Sequence, residues 1–147
     1  MGLPTQDLKE PIYSTRSAFA ALKADGSIIA WGESNSGGAN APTDSGYTDI
    51  YSTSSAFAAF KADGSITVWG DSGSGGLNAP AGSGYTKIYS NANAFVALKA
   101  DGSITVWGLH YAGGSGAPTD SGYIEIHSAN SVFTAVKADG SIAVWGG

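Results

Sequence analysis

Apolar runs in this chain are short, never longer than five residues, and each is broken by Gly, Ser, Asn, Asp, Thr, Lys or Pro. Within the runs the period is two. In "YTDIYST" Ile50 and Ser52 fall on one side, with Tyr51 and Thr53 on the other. In "SITVWG" Ile66 and Val68 share a face and Thr67 and Trp69 share the opposite one. Alternation of this kind predicts strands. The runs "AFAAFK" and "SITVWG" are mostly apolar on both faces, so the sheet they form must be covered on both. Ala-Asp-Gly-Ser joins them, and Asp63-Gly64 supplies the positive φ of a tight hairpin. The remaining "DSGSGGLNAPAGSG" reads as a loop with room for a short edge strand, giving three to four strands per unit.

This pattern recurs with a step of 38 residues. Trp31, Trp69, Trp107 and Trp145 keep the step, as do Phe19, Phe57, Phe95 and Phe133, and the turn glycines Gly26, Gly64, Gly102 and Gly140. These twelve residues are the expected structural anchors. Four small sheets, each apolar on both faces, predict an all-β fold, a β-propeller of four repeats in a single repeat domain over 1–147. The units run approximately 9–46, 47–84, 85–122 and 123–147 with 1–8. The two ends meet in repeat phase within a loop, which is the pattern of a ring cut at a connection. The middle strands are built on alanine, such as Ala56, Ala58 and Ala59. Thin blade faces favour many blades per ring, and an arc of four blades leaves two apolar faces bare. The expected assembly is a homodimer that completes an eight-bladed ring.

Composition narrows the function classes. Seven basic residues face twelve acidic ones, a net charge of −5, so a phosphate backbone is a poor partner and no nucleic acid is expected. No apolar run approaches the ~20 residues of a membrane helix, and the polar start "MGLPTQDLKE" does not read as a signal peptide, so no membrane role is expected. There is no cysteine, hence no disulfide or thiolate metal site, and the compartment stays open.

The run "AFAALKADGSIIAWG", Ala18 to Gly32, and its three relatives resemble the repeats of the regulator of chromosome condensation family, in particular its short bacterial tandem versions. The resemblance spans all four copies and implies propeller blades. The repeat here is shorter. Ala18, Ala56, Ala94 and Val132 stand where that family commonly has histidine, and "SNSGGANAP" stands in place of its Gly-Gln-Leu-Gly segment. The family's nucleotide exchange and chromatin binding are therefore not expected of this chain. The unbroken step also admits an engineered or consensus-derived origin.

Candidate chemistry is sparse. Gly70-Asp71-Ser72-Gly73 spells a serine-protease loop, but its siblings read "GESN" and "GLHY", and only His110 and His127 could serve as base. No catalytic residue, metal site or cofactor is expected. His110 and Tyr111 break the loop pattern and are the candidate ligand-binding pair. Lys23, Lys61, Lys99 and Lys137 form a rim beside the turn residues Asp25, Asp63, Asp101 and Asp139, read as solvated strand ends in preference to an anion-binding ring. His127 takes a tyrosine position and reads as a packing substitution. The expected function is a non-enzymatic propeller module for scaffolding or protein interaction. The alternative is a carbohydrate-binding propeller with one weak site per repeat, built on Tyr and Trp edges and loop Asn.

Overall fold

The computed structural model describes residues 12–147. It contains four antiparallel sheets of three strands each. Blade 1 holds β1 (Tyr13–Ser14), β2 (Ala18–Leu22) and β3 (Ile28–Gly32). Blade 2 holds β4 (Tyr47–Ser52), β5 (Ala56–Lys61) and β6 (Ile66–Gly70). Blade 3 holds β7 (Tyr85–Ser90), β8 (Ala94–Lys99) and β9 (Ile104–Gly108). Blade 4 holds β10 (Tyr123–Ser128), β11 (Val132–Lys137) and β12 (Ile142–Gly146). The first strand lies at one edge of each sheet and the third at the other. No fourth edge strand forms in the described loops. The segment after each of β3, β6 and β9 makes a 3-10 turn instead, at Ser34–Ser36, Ser72–Ser74 and His110–Ala112.

The hairpin is also more specific than the sequence suggests. Only glycine takes the positive φ in these turns: Gly26, Gly64, Gly102 and Gly140 lie between 81° and 88°. Lys61 accepts from the Gly64 N–H at 2.9 Å and donates to Ser65 at 3.0 Å, closing a type I turn with a glycine bulge. The aspartate before each glycine accepts the N–H and hydroxyl of the following serine, as Asp63 does from Ser65 at 2.9 and 2.7 Å. A second bulge falls in the first strand, where the register with the middle strand slips between Tyr47 and Asp49. Thr48 sits in that slip and donates its hydroxyl to the Phe60 carbonyl at 3.1 Å. Thr86 does the same for Leu98 at 3.0 Å, while the third bulge carries Ile124.

The core lies between blades. Ala18, Ala20 and Leu22 of blade 1 pack against Ile50, Phe57, Ala59 and Trp69 of blade 2. Ala56 and Ala58 of blade 2 meet Ile88, Phe95, Ala97 and Trp107 of blade 3. Ala94, Val96 and Leu98 of blade 3 meet Ile126, Phe133, Ala135 and Trp145 of blade 4. Each blade thus has a thin, alanine-rich face and a bulky aromatic face, and the thin face of one receives the bulky face of the next. The strand phases read from the sequence place these residues as found, Tyr51 with the thin face and Ile50 with the bulky one.

Each junction is also locked by directional bonds. The Trp69 indole N–H donates to the Gly37 carbonyl of the preceding blade at 2.9 Å, Trp107 to Gly75 at 3.1 Å, and Trp145 to Gly113 at 3.2 Å. In each blade the tryptophan lies against its own phenylalanine, with ring centroids 5.2–5.7 Å apart. At the blade tips the backbone of one hairpin turn bonds the start of the next first strand, as in Tyr47 N–H to Gly26 at 3.0 Å.

Candidate functional site

Three surface features stand out once the blades are in place. The first is the pair of end faces. Among the described residues, none of the three core clusters joins blade 4 to blade 1. On the bulky face of blade 1 Phe19 is 45% exposed, although Phe57, Phe95 and Phe133 are fully buried. On the thin face of blade 4 Ile142 and Val144 are 63% and 65% exposed, although the equivalent Ile66 and Val68 pack in the junction between blades 2 and 3. The turn glycines tell the same story. A Cβ on Gly26 would lie 2.7 Å from the backbone N of Tyr47, whereas one on Gly140 would meet nothing within 4 Å. Phe19 and Trp31 stack on one another with ring centroids 5.6 Å apart, but no blade covers them among the described residues. His127 departs from its expected packing role because it lies at the other end, in phase with the tyrosines of the thin faces but on blade 4, exposed, with Nε2 2.7 Å from Glu125 Oε1.

The second feature is the loop tip at His110 and Tyr111. His110 opens the third 3-10 turn and Tyr111 is 78% exposed, while Ala112 is buried beneath them. Ser72 occupies the same place in its own turn, with Ser34 in the first. Its position is that of a turn residue shared by phase, which accounts for the protease-like spelling around it. Among the described residues no group of three His, Asp or Glu side chains is arranged to hold a metal ion.

The third feature escaped the sequence reading. The rim lysines do not pair with the turn aspartates two residues on. Lys61 Nζ reaches Asp44 Oδ2 at 2.7 Å, in the loop entering β4. Tyr47 donates to Asp44 Oδ1 at 2.9 Å and also lies 2.9 Å from Thr67 Oγ1. The Lys61 ammonium sits 4.9 Å from the centre of the Tyr47 ring. Blade 4 repeats the arrangement: Lys137 meets Asp120 at 2.7 Å and Tyr123 donates to Asp120 at 3.0 Å. The hydrogen bond from Lys61 holds the Asp44 carboxyl below the usual aspartate range, with Tyr47 adding to it; Lys137 and Tyr123 do the same for Asp120. The Lys61 and Lys137 ammonium groups are shifted up by the same bonds, and burial pushes the Tyr47 phenol up. The signal in the sequence was the phase-matched Asp44 and Asp120, three residues before Tyr47 and Tyr123.

The tryptophan rings of blades 2 to 4 are buried in the junctions. Asn40 and Asn78 hold left-handed backbone, with φ of 68° and 69°, where blade 3 has Gly116.

No protein-family model matches the chain, and no curated protein matches it either. Solved structures do. The crinkly ectodomain of the Arabidopsis thaliana receptor kinase ACR4, described as a WD40 ectodomain, superposes with a TM-score of 0.68 at 20% identity, over 95% of this chain and 50% of that one. Prp20, the RCC1 protein of Saccharomyces cerevisiae, superposes with 0.64 at 16% identity, over 92% of this chain and 43% of that one. The fold is a β-propeller. The chain spans about half the length of these natural propellers. The computationally designed Ika4, matched over 93% of this chain and 91% of its own, gives a lower TM-score of 0.51 at 20% identity.

Proposed function

We propose that this chain is a non-enzymatic propeller module, one repeat domain that assembles with a second copy into an eight-bladed ring and serves as a scaffold for protein interaction. The observation that carries this reading is the complementarity of the two end faces. The bulky face of blade 1, with Phe19 and Trp31, has the residue types that pack against a thin face at every internal junction. The thin face of blade 4, with Val132, Thr134, Ile142 and Val144, matches in phase the faces that receive them. Two such contacts related by a twofold axis leave no blade face bare among the described residues. Agreement with about half of a larger propeller, better than with a designed chain of similar length, supports an arc that two copies complete. An interaction role rests on the rim and loop tips that such a ring presents, since propeller loops are where partners dock.

Light scattering across a dilution series tests the assembly. The expected mass is twice that of the chain, persisting to low micromolar concentration. A mass equal to one chain at tens of micromolar would overturn the ring, and a mass above two chains would replace it with open, head-to-tail growth.

A further inference from the structure

Blade 3 departs from its neighbours at one point on the rim. Asp44 and Asp120 have Gly82 as their counterpart, so the loop entering β7 brings no carboxylate at this position. The groups that hold a carboxylate in the flanking blades are nevertheless in place. Lys99 Nζ stands 5.0 Å from the centre of the Tyr85 ring, against 4.9 Å for Lys61 over Tyr47 and 5.0 Å for Lys137 over Tyr123. Tyr85 Oη and Thr105 Oγ1 lie 3.0 Å apart, as Tyr47 and Thr67 do at 2.9 Å. A Cβ on Gly82 would meet nothing within 4 Å, so the side from which Asp44 and Asp120 enter is open in blade 3.

We propose that Lys99, Tyr85 and Thr105 form a binding site for a carboxylate supplied from outside the chain. The bound group takes the place that Asp44 and Asp120 fill in the neighbouring blades. One oxygen accepts from the Lys99 ammonium. The other accepts from the Tyr85 hydroxyl, while Thr105 turns its own O–H toward Tyr85 Oη. This is the two-point pattern the protein already builds twice, at 2.7 Å from lysine and 2.9–3.0 Å from tyrosine. Both donors keep their positions with and without the acceptor, so little ordering cost attends binding.

The local charge favours the same ligand. Segment 82–119 carries Lys87 and Lys99 against Asp101 alone, whereas segment 44–81 carries Lys61 against Asp44, Asp49, Asp63 and Asp71. Lys87 stands in phase with Asp49 and Glu125. Asp101 is the carboxylate nearest in sequence to Lys99. It is engaged by Ser103, whose N–H and hydroxyl reach it at 2.9 and 2.7 Å. Blade 3 therefore offers a net positive rim within a chain of net charge −5.

Acetate is the probe, titrated against chloride at fixed pH and ionic strength, with the Tyr85 ring and Lys99 side-chain resonances as readout. Both should move together and saturate at roughly 10 mM, the order set by one exposed charge-assisted pair. The Lys61 and Lys137 resonances should stay in place. Lys99→Met should weaken the Tyr85 response about ten-fold. Asp120→Gly should create a second responding set at Lys137 and Tyr123, which guards against misreading a damaged Lys99 variant. N-acetylglycine and a capped Gly-Asp-Gly peptide then separate a chain-terminal source from a side-chain source. The proposal is overturned if no saturable shift occurs at Tyr85 and Lys99, if all three lysines respond alike, or if neither variant changes the pattern. Because the site lies inside blade 3, this outcome is independent of the ring.

Discussion

At the scale of single residues, the glycines of the interblade loop carry more than turn geometry. Gly75 has φ of 102°, and a Cβ there would lie 2.5 Å from the Phe95 ring. The loop backbone is thus the lid on the next blade's aromatic pair. Gly75→Ala combines a left-handed backbone with overpacking and should cost about 2–4 kcal/mol by urea denaturation. Ile124 is the opposite case. It occupies a bulge at which Thr48 and Thr86 each satisfy a middle-strand carbonyl, and its side chain is half exposed. Ile124→Thr restores that bond to Val136 and should stabilise the chain by about 0.5–1 kcal/mol in the same measurement. A loss of stability there would show that Ile124 packs against something.

At the scale of the element, the hairpin turns and rim pairs set how the blades respond to acid. Asp63 and Asp101 are held below the ordinary aspartate range by the serine hydroxyls that follow them, and Asp44 by Lys61. A carboxyl lowered in the folded state contributes stability that is present above the unfolded value, about 3.9, and is lost as pH falls through the folded value. Tm should hold level from neutral pH down to about 4 and decline below it. A decline beginning well above pH 5 would contradict this assignment. The turn aspartates were legible because Asp-Gly-Ser between two apolar runs has one local solution. The lysine partners were not. Alternation put Lys61 and Asp63 near one another, but the serine two residues on satisfies Asp63, and the lysine is left to a residue seventeen positions away.

At the scale of the whole molecule, the proposed pairing rests on the two end faces. Val144→Asp places a charge on the exposed thin face of blade 4 without touching an internal junction. Burying that charge against an apolar partner face costs more than the contact returns. The variant should keep the strand content of the parent and shift the mass to one chain at a concentration where the parent is paired. An unchanged mass would place the association elsewhere on the surface.

The sequence alone determined the repeat and the strand phases. These follow from a period of two within strands and a step of 38 between them, both local properties of the chain. It also announced, in Gly82 against Asp44 and Asp120, that one rim position differs, though not what the difference leaves behind. Only the tertiary structure decided that each blade closes with three strands, that the connecting loop coils into a 3-10 turn and covers the next blade, and that the rim lysines look away from their own turns. Those outcomes depend on which blade lies beside which. A residue's phase sets the face it occupies; the neighbouring blade supplies the carbonyl, carboxylate or ring that meets it there.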